Sequence, residues 1–267
     1  MVNLLAAAAL AAATPALAPP PPTSEPAMFV VRDADTTVYL FGTFHALDGD
    51  PHWFDYGVRA AFEQSDELVL ETLLPEGPNA ARQMSQAIHP PAVAPSPSFL
   101  ATTRMAITAG RSQGMQTNNG ADAVLRHFAE AEGKPVEGLE TLQFQLNMFN
   151  KMPPMAAPAP AGAAKPGQAP SEQPMQSLSK TMAQMQSAWK RGDQSVFVGL
   201  LEQLRSGAPD TYRMMFTERN ARWADWIAAR MQTPGTVFVA VGAGHLAGKD
   251  SVLVRLAEKG IESERVY

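Results

Sequence analysis

Two short runs of this chain end in the same way, Gly-x-x-His: Gly42 to His45, and Gly242 to His245. Each follows a stretch that reads as a buried strand, Thr37-Val-Tyr-Leu-Phe41 and Thr236-Val-Phe-Val-Ala-Val241. Runs of β-branched and aromatic residues too short for a helix are expected to be strands covered on both faces. A glycine at a strand exit lets the backbone turn sharply and approach a ligand closely. A histidine three residues on then faces the crevice at the carboxyl ends of the strands, where open α/β sheets bind ligands. The second run has one more residue between its Thr and its Gly, so the likeness lies in the strand and its exit turn. Two satisfied core histidines are the plainer alternative; two matching exits in a chain with five histidines favour a shared site.

Carboxylates with the same kind of address add to this pair. Glu71 ends Glu67-Leu-Val-Leu-Glu71, and Glu140 ends Val136-Glu-Gly-Leu-Glu140, each a short strand. Each also has a plainer reading, Glu71 as a solvated acid entering a Pro-Gly loop and Glu140 as an acid starting the next helix, favoured by its dipole. Arg219 falls near the edge of the packed face of a helix with Trp223 and Ile227. It is either a snorkelling surface side chain or a fixed cation in the crevice. Two imidazoles and one or two carboxylates suit a divalent ion such as zinc, manganese or cobalt. With a position open to water, that set would serve amide or ester hydrolysis. A metal-free route remains open, with one histidine as base, a glutamate orienting it and Arg219 holding an anionic group. No His-Glu-x-x-His, Gly-x-Ser-x-Gly, phosphate loop or dinucleotide fingerprint is present, and there is no cysteine to supply a thiol.

The elements that must position these groups read as an α/β fold. Phe29 to Arg32 and Val38 to Phe41 flank Asp33-Ala-Asp-Thr36 as a hairpin. Helices are expected over Pro51 to Gln64, Ala80 to Ile88, Phe99 to Ala109, Gly120 to Glu132, Leu142 to Phe149, two within Met175 to Leu204, Pro209 to Met231, and Gly248 to Lys259. A last strand runs from Glu262 to Tyr267. Met182, Met185 and Trp189 read as core. Met152 to Pro174, rich in Ala and Pro, lacks the apolar groups to hold a structure and reads as a disordered insertion or linker. Residues 1–18 read as a secretory signal cut after Ala18, although no Lys or Arg precedes the apolar run; an uncleaved anchor is the alternative, but the run is short of the roughly 20 residues a span needs. A Pro-rich lead-in covers 19–27. The expectation is an exported, periplasmic or secreted protein with no membrane span after cleavage. Net charge of −5 and scattered basic residues exclude a nucleic-acid partner.

Taken together, the paired Gly-x-x-His turns, Glu67-Leu-Val-Leu-Glu71, Gly133-Lys-Pro-Val-Glu-Gly-Leu-Glu-Thr141 and Glu218-Arg-Asn220 resemble the TraB/GumN family, related to the TIKI proteases within an erythromycin-esterase-like and ChaN-like group. The resemblance spans residues 28–267 in the same order of motifs. It implies a central mixed β-sheet from two pseudo-symmetric β-α halves, surrounded by helices, with a helical middle region. It further implies metal-dependent hydrolysis of a peptide or small-molecule substrate, with His45, Glu71 and His245 as ligands or catalytic groups and Arg219 acting beside them. Glu140, Asn220, Gly42 and Gly242 would lie behind the ligands or hold substrate. The Ala/Pro-rich insertion departs from the family pattern. The rival class is a binding protein of the same architecture that captures a small ligand, a metal ion or haem iron without turnover; a third is an inert scaffold.

Overall fold

The repeated strands pair with each other. In the computed structural model, which describes residues 25–75, 79, 82, 97–152 and 173–266, β1 (Met28–Arg32) and β2 (Thr36–Thr43) form the expected antiparallel hairpin. The Asp33 carboxylate closes its turn by accepting from the backbone N–H groups of Asp35 and Thr36. β2 then lies parallel to β5 (Gly235–Gly242), with Thr37 opposite Thr236, Val38 opposite Val237 and Leu40 opposite Val239. On the other side of β5 runs β3 (Glu67–Thr72), and outside it β4 (Val136–Glu140), both parallel to β5. A two-residue β6 (Glu264–Arg265) edges β1, giving one six-stranded mixed sheet in the order β4-β3-β5-β2-β1-β6.

Both faces of the sheet are covered, as the continuous apolar runs require. On one face Phe41, Leu68, Leu70 and Phe238 meet Phe62 of α1 (Tyr56–Gln64), Leu125 of α3 (Ala121–Ala131), Trp189 of α5 (Gln173–Lys190) and Phe197 of α6 (Ser195–Gly207). On the other, Val38, Leu40, Val69, Val237, Val239 and Val241 meet Trp223 and Ile227 of α8 (Glu218–Arg230) and Leu256 of α9 (Val252–Ala257). The helices α2 (Pro97–Arg111) and α4 (Leu142–Lys151) complete the middle region, and the short α7 (Pro209–Tyr212) precedes α8. Among the described residues no helix is long and apolar enough to cross a membrane.

Several expected elements are divided. The helix expected from Pro51 is a 3₁₀ turn, Pro51–Phe54, followed by α1; the break falls at Asp55 and Tyr56, where Tyr56 has φ +27°. The helix expected from Pro209 contains a π-helical turn, Arg213–Thr217, which sets the Met215 carbonyl within reach of Arg219. The last helix starts only at Val252, because Ser251 caps it by accepting from the Val254 N–H. The last strand shrinks to the two residues that reach β1. Of the insertion expected over 152 to 174, Gln173 and Pro174 open α5. The leader, the lead-in up to Ser24, the helix Ala80 to Ile88 apart from Arg82, and 153–172 lie outside the described residues.

Candidate active site at the paired glycine turns

The extra residue in the second run staggers the two exits: Gly42 lies opposite Val241, and Thr43 opposite Gly242. Because of that stagger the turns pack against each other. A Cβ at Gly42 would stand 3.1 Å from the Ala243 Cα, so the two backbones approach as closely as only glycine allows. The Gly42 carbonyl is held from behind by the Trp189 indole N–H at 2.6 Å. Gly42 therefore works through packing and lies behind the crevice rather than in it.

Gly242 is where the candidate groups meet. A Cβ there would stand 3.1 Å from Glu71 Oε1, 3.6 Å from His45 Nε2 and 3.7 Å from His245 Cδ2. Both imidazoles and the acid thus share one crevice, at the carboxyl ends of β2, β3 and β5. The Gly242 N–H donates to Glu71 Oε1 at 2.7 Å, tying the acid on β3 to the second turn. His245 Nε2 is 3.7 Å from the same oxygen.

Each histidine is oriented through its Nδ1. His245 Nδ1 is 2.6 Å from Asn220 Oδ1, and the other end of that amide donates to the Asp250 carbonyl at 2.7 Å, so Oδ1 faces the ring and Nδ1 carries the proton. The ring lies between Phe216 and Trp223, at centroid distances of 4.8 and 4.4 Å. His45 Nδ1 is 3.1 Å from Asp122 Oδ1. Both rings consequently turn Nε2 towards the crevice.

Arg219 is the buried cation, its side chain 5% exposed. Its Nε and Nη2 hold Glu140 at 2.9 to 3.1 Å, Nη2 also holds Glu71 Oε2 at 2.7 Å, and Nη1 reaches His245 Nε2 at 3.2 Å. Glu140 is thereby a partner of Arg219, and the surface reading of that arginine is replaced: α8 turns it inward over Trp223, 4.6 Å from the ring centre. Burial works to raise the Glu71 carboxyl, but His245, Arg219, His45 and the Gly242 N–H outweigh it and bring it down to about 2. Burial, with Arg219 alongside, pushes His245 down to about 3, so the ring is neutral with a lone pair on Nε2. A ring as open to water as His45 loses little to desolvation, and Asp122 and Glu71 raise it to about 9. That ring is 63% exposed, and water screens part of the effect.

The scan against family models gives a match to the TraB/PrgY/gumN family over residues 27–94 and 93–265. The chain belongs to the TraB/PrgY/gumN family. No curated protein and no solved structure gives a match. The family model covers every element that supplies the crevice, from β1 to β6.

Whether this TraB/PrgY/gumN chain fits a divalent ion is decided by its donors. A neutral imidazole whose Nδ1–H is bound to an oxygen, with Nε2 free to coordinate, is the usual arrangement of a metal-binding histidine. Both rings are held through Nδ1, His245 neutral and His45 beside the Asp122 carboxylate, while Glu71 and Glu140 pair with Arg219. The donor chemistry fits a cation. Among the described residues no three His, Asp or Glu side chains stand at ligand spacing, and Arg219 contacts both Glu71 Oε2 and His245 Nε2. Asp122 is the site residue that sequence reasoning missed. Its signal was a Gly-Ala-Asp helix start following a polar turn, which reads as ordinary capping.

Proposed function

We propose that the chain hydrolyses a peptide or related amide bond with the help of a divalent ion, manganese, cobalt or zinc, held by His45, Glu71 and His245. Such an ion, when bound, lowers the pKa of a coordinated water and polarises the scissile carbonyl. The chain's own residues supply the rest. His245 offers a neutral nitrogen fixed by Asn220, and Glu71 offers a carboxylate ionised throughout the neutral range. Arg219 fixes Glu71 and Glu140 and supplies positive charge against an oxyanion. Export of the mature chain belongs to the same proposal and is tested by fractionating cells that express it.

The observation that supports this reading best is the meeting of Glu71 Oε1, His45 Nε2 and the His245 ring around Gly242. Its test is to strip the purified chain with chelator, restore manganese, cobalt or zinc singly, and follow cleavage of an unstructured peptide pool by mass spectrometry. Restoration by one ion and loss in Glu71→Gln support it. Equal cleavage with and without metal, or an unaltered Glu71→Gln, sinks it.

One observation favours a second reading. Arg219 Nη1 already donates towards His245 Nε2, which suits a metal-free crevice that captures an anionic ligand without turnover. That reading predicts ligand retention in Glu71→Gln and loss in Arg219→Met.

A further inference from the structure

We propose that Asp122, delivered by the N-terminus of α3, is a positioning residue for His45, holding that ring against the Gly242 turn. Three contacts join α3 to the first glycine turn. The Ala121 N–H donates to the Phe44 carbonyl at 3.0 Å. Gly120 sits so close beneath His45 that a Cβ there would run into the His45 carbonyl carbon and oxygen. Asp122 Oδ1 then meets His45 Nδ1 at 3.1 Å. The helix start is thus docked on backbone at two points, and the carboxylate is set beside the ring by both.

The need for such a device follows from exposure. His245 is fixed by burial between Phe216 and Trp223 as well as by Asn220. His45 has an exposed ring with no aromatic clamp among the described residues, so an acceptor at Nδ1 is what selects its orientation. An exposed imidazole left to itself samples several rotamers. The acceptors also differ in kind, a carboxylate at the exposed ring and a carboxamide at the buried one, so the two histidines are not equivalent despite their matching turns.

This inference rests on the proposed hydrolase for its catalytic meaning but not for its geometry, and the experiment separates the two. Crystal structures of the full chain with Asp122→Ala, Asp122→Asn and Gly120→Ala report the His45 ring directly, and cobalt titration of the same proteins reports its use. In Asp122→Ala the ring is expected to leave the Gly242 turn or to occupy several orientations, with a 10- to 100-fold loss of cobalt affinity. Asp122→Asn, which keeps an acceptor oxygen, should hold the ring in place. Gly120→Ala should displace it without touching the carboxylate. If the ring of Asp122→Ala stays where it is in the unaltered chain, the positioning role is overturned. If the ring moves but the unaltered chain takes up no cobalt, the positioning role stands and the metal-dependent reading fails. Asp122 is part exposed and its removal empties no core space, so the variant is expected to fold with a Tm shifted by at most a few degrees.

Discussion

The Glu71 carboxylate accepts the backbone N–H of Gly242 at 2.7 Å, so the acid of one strand is fixed by the turn that delivers the second histidine. The two glycines consequently play different parts. Gly242 has φ −51°, open to any residue, and an alanine methyl there would press on the end of the Glu71 side chain, which can yield, and lie in contact with His45. Gly242→Ala should retain stability within about 1 kcal/mol of the unaltered chain while losing most of any peptide cleavage that the proposed hydrolase shows. At Gly42 the methyl would press on backbone, so Gly42→Ala should lower stability by about 1 to 3 kcal/mol, as overpacking does. Denaturant unfolding beside a peptide-cleavage assay separates the pair.

Arg219 neutralises two carboxylates that have little access to water, Glu71 and Glu140. Replacing it with methionine leaves Glu71 the Gly242 N–H and Glu140 the Gln145 amide with Arg222 at 3.6 Å, and removes the buried charge both are paired with, at a cost of up to about 3 to 5 kcal/mol. Lysine restores the charge but not the planar fork that serves Glu140 through two nitrogens, and should recover only part of the loss. Urea midpoints for the two variants check this, and equal midpoints would contradict it.

Stability should peak near pH 6.5. The folded chain holds His245 down to about 3, so below 6.5 the unfolded chain takes up a proton that the folded one refuses, and stability falls as pH falls towards 3. Glu71, held down to about 2 from 4.5, loses its contribution only below about 4.5. Between pH 6.5 and 4.5 the decline therefore belongs to His245, at no more than about 1.4 kcal/mol per pH unit. His45 works in the opposite sense, its contribution complete below 6.5 and lost as pH rises to about 9, and small because water screens the exposed ring. Unfolding measured from pH 4 to 9 should show the peak, and His245→Gln should flatten its acid side.

Tyr56 holds φ +27° and is 89% exposed. A tyrosine in that conformation is strained and gains little from burial. Tyr56→Gly should raise stability by up to about 1 kcal/mol without affecting the crevice, and a fall in Tm would show that the break before α1 is not strained.

The strands were visible in the sequence because apolar runs such as Val38 to Phe41 are too short for a helix, but that β2 and β5 pair directly, Thr37 opposite Thr236, is visible only in the structure. Glu71 and Glu140 were legible as strand-end acids; periodicity put Arg219 at the edge of the packed face without deciding between an outward and an inward side chain, and only its burial against both acids decides it. Asp122 was invisible for a related reason. It stands 77 residues from His45, and nothing local distinguishes a capping acid from one that a docked helix aims at a ring. The π turn at Arg213–Thr217 left no trace either, since one extra residue per turn does not alter the apolar pattern enough to be read.

The position of β5 between β2 and β3 has a consequence for the order of events during synthesis. Both neighbours leave the ribosome long before residues 235–242 exist, and until then each presents a bare edge where the central strand belongs. A nascent chain must keep those edges from sticking to each other or to other chains, and slow closure of so distant a pairing prolongs the exposure. The same delay is protective. No chain made only as far as β3 can bring the two rings together, so whatever chemistry they perform is withheld until residues 235–245 have been made.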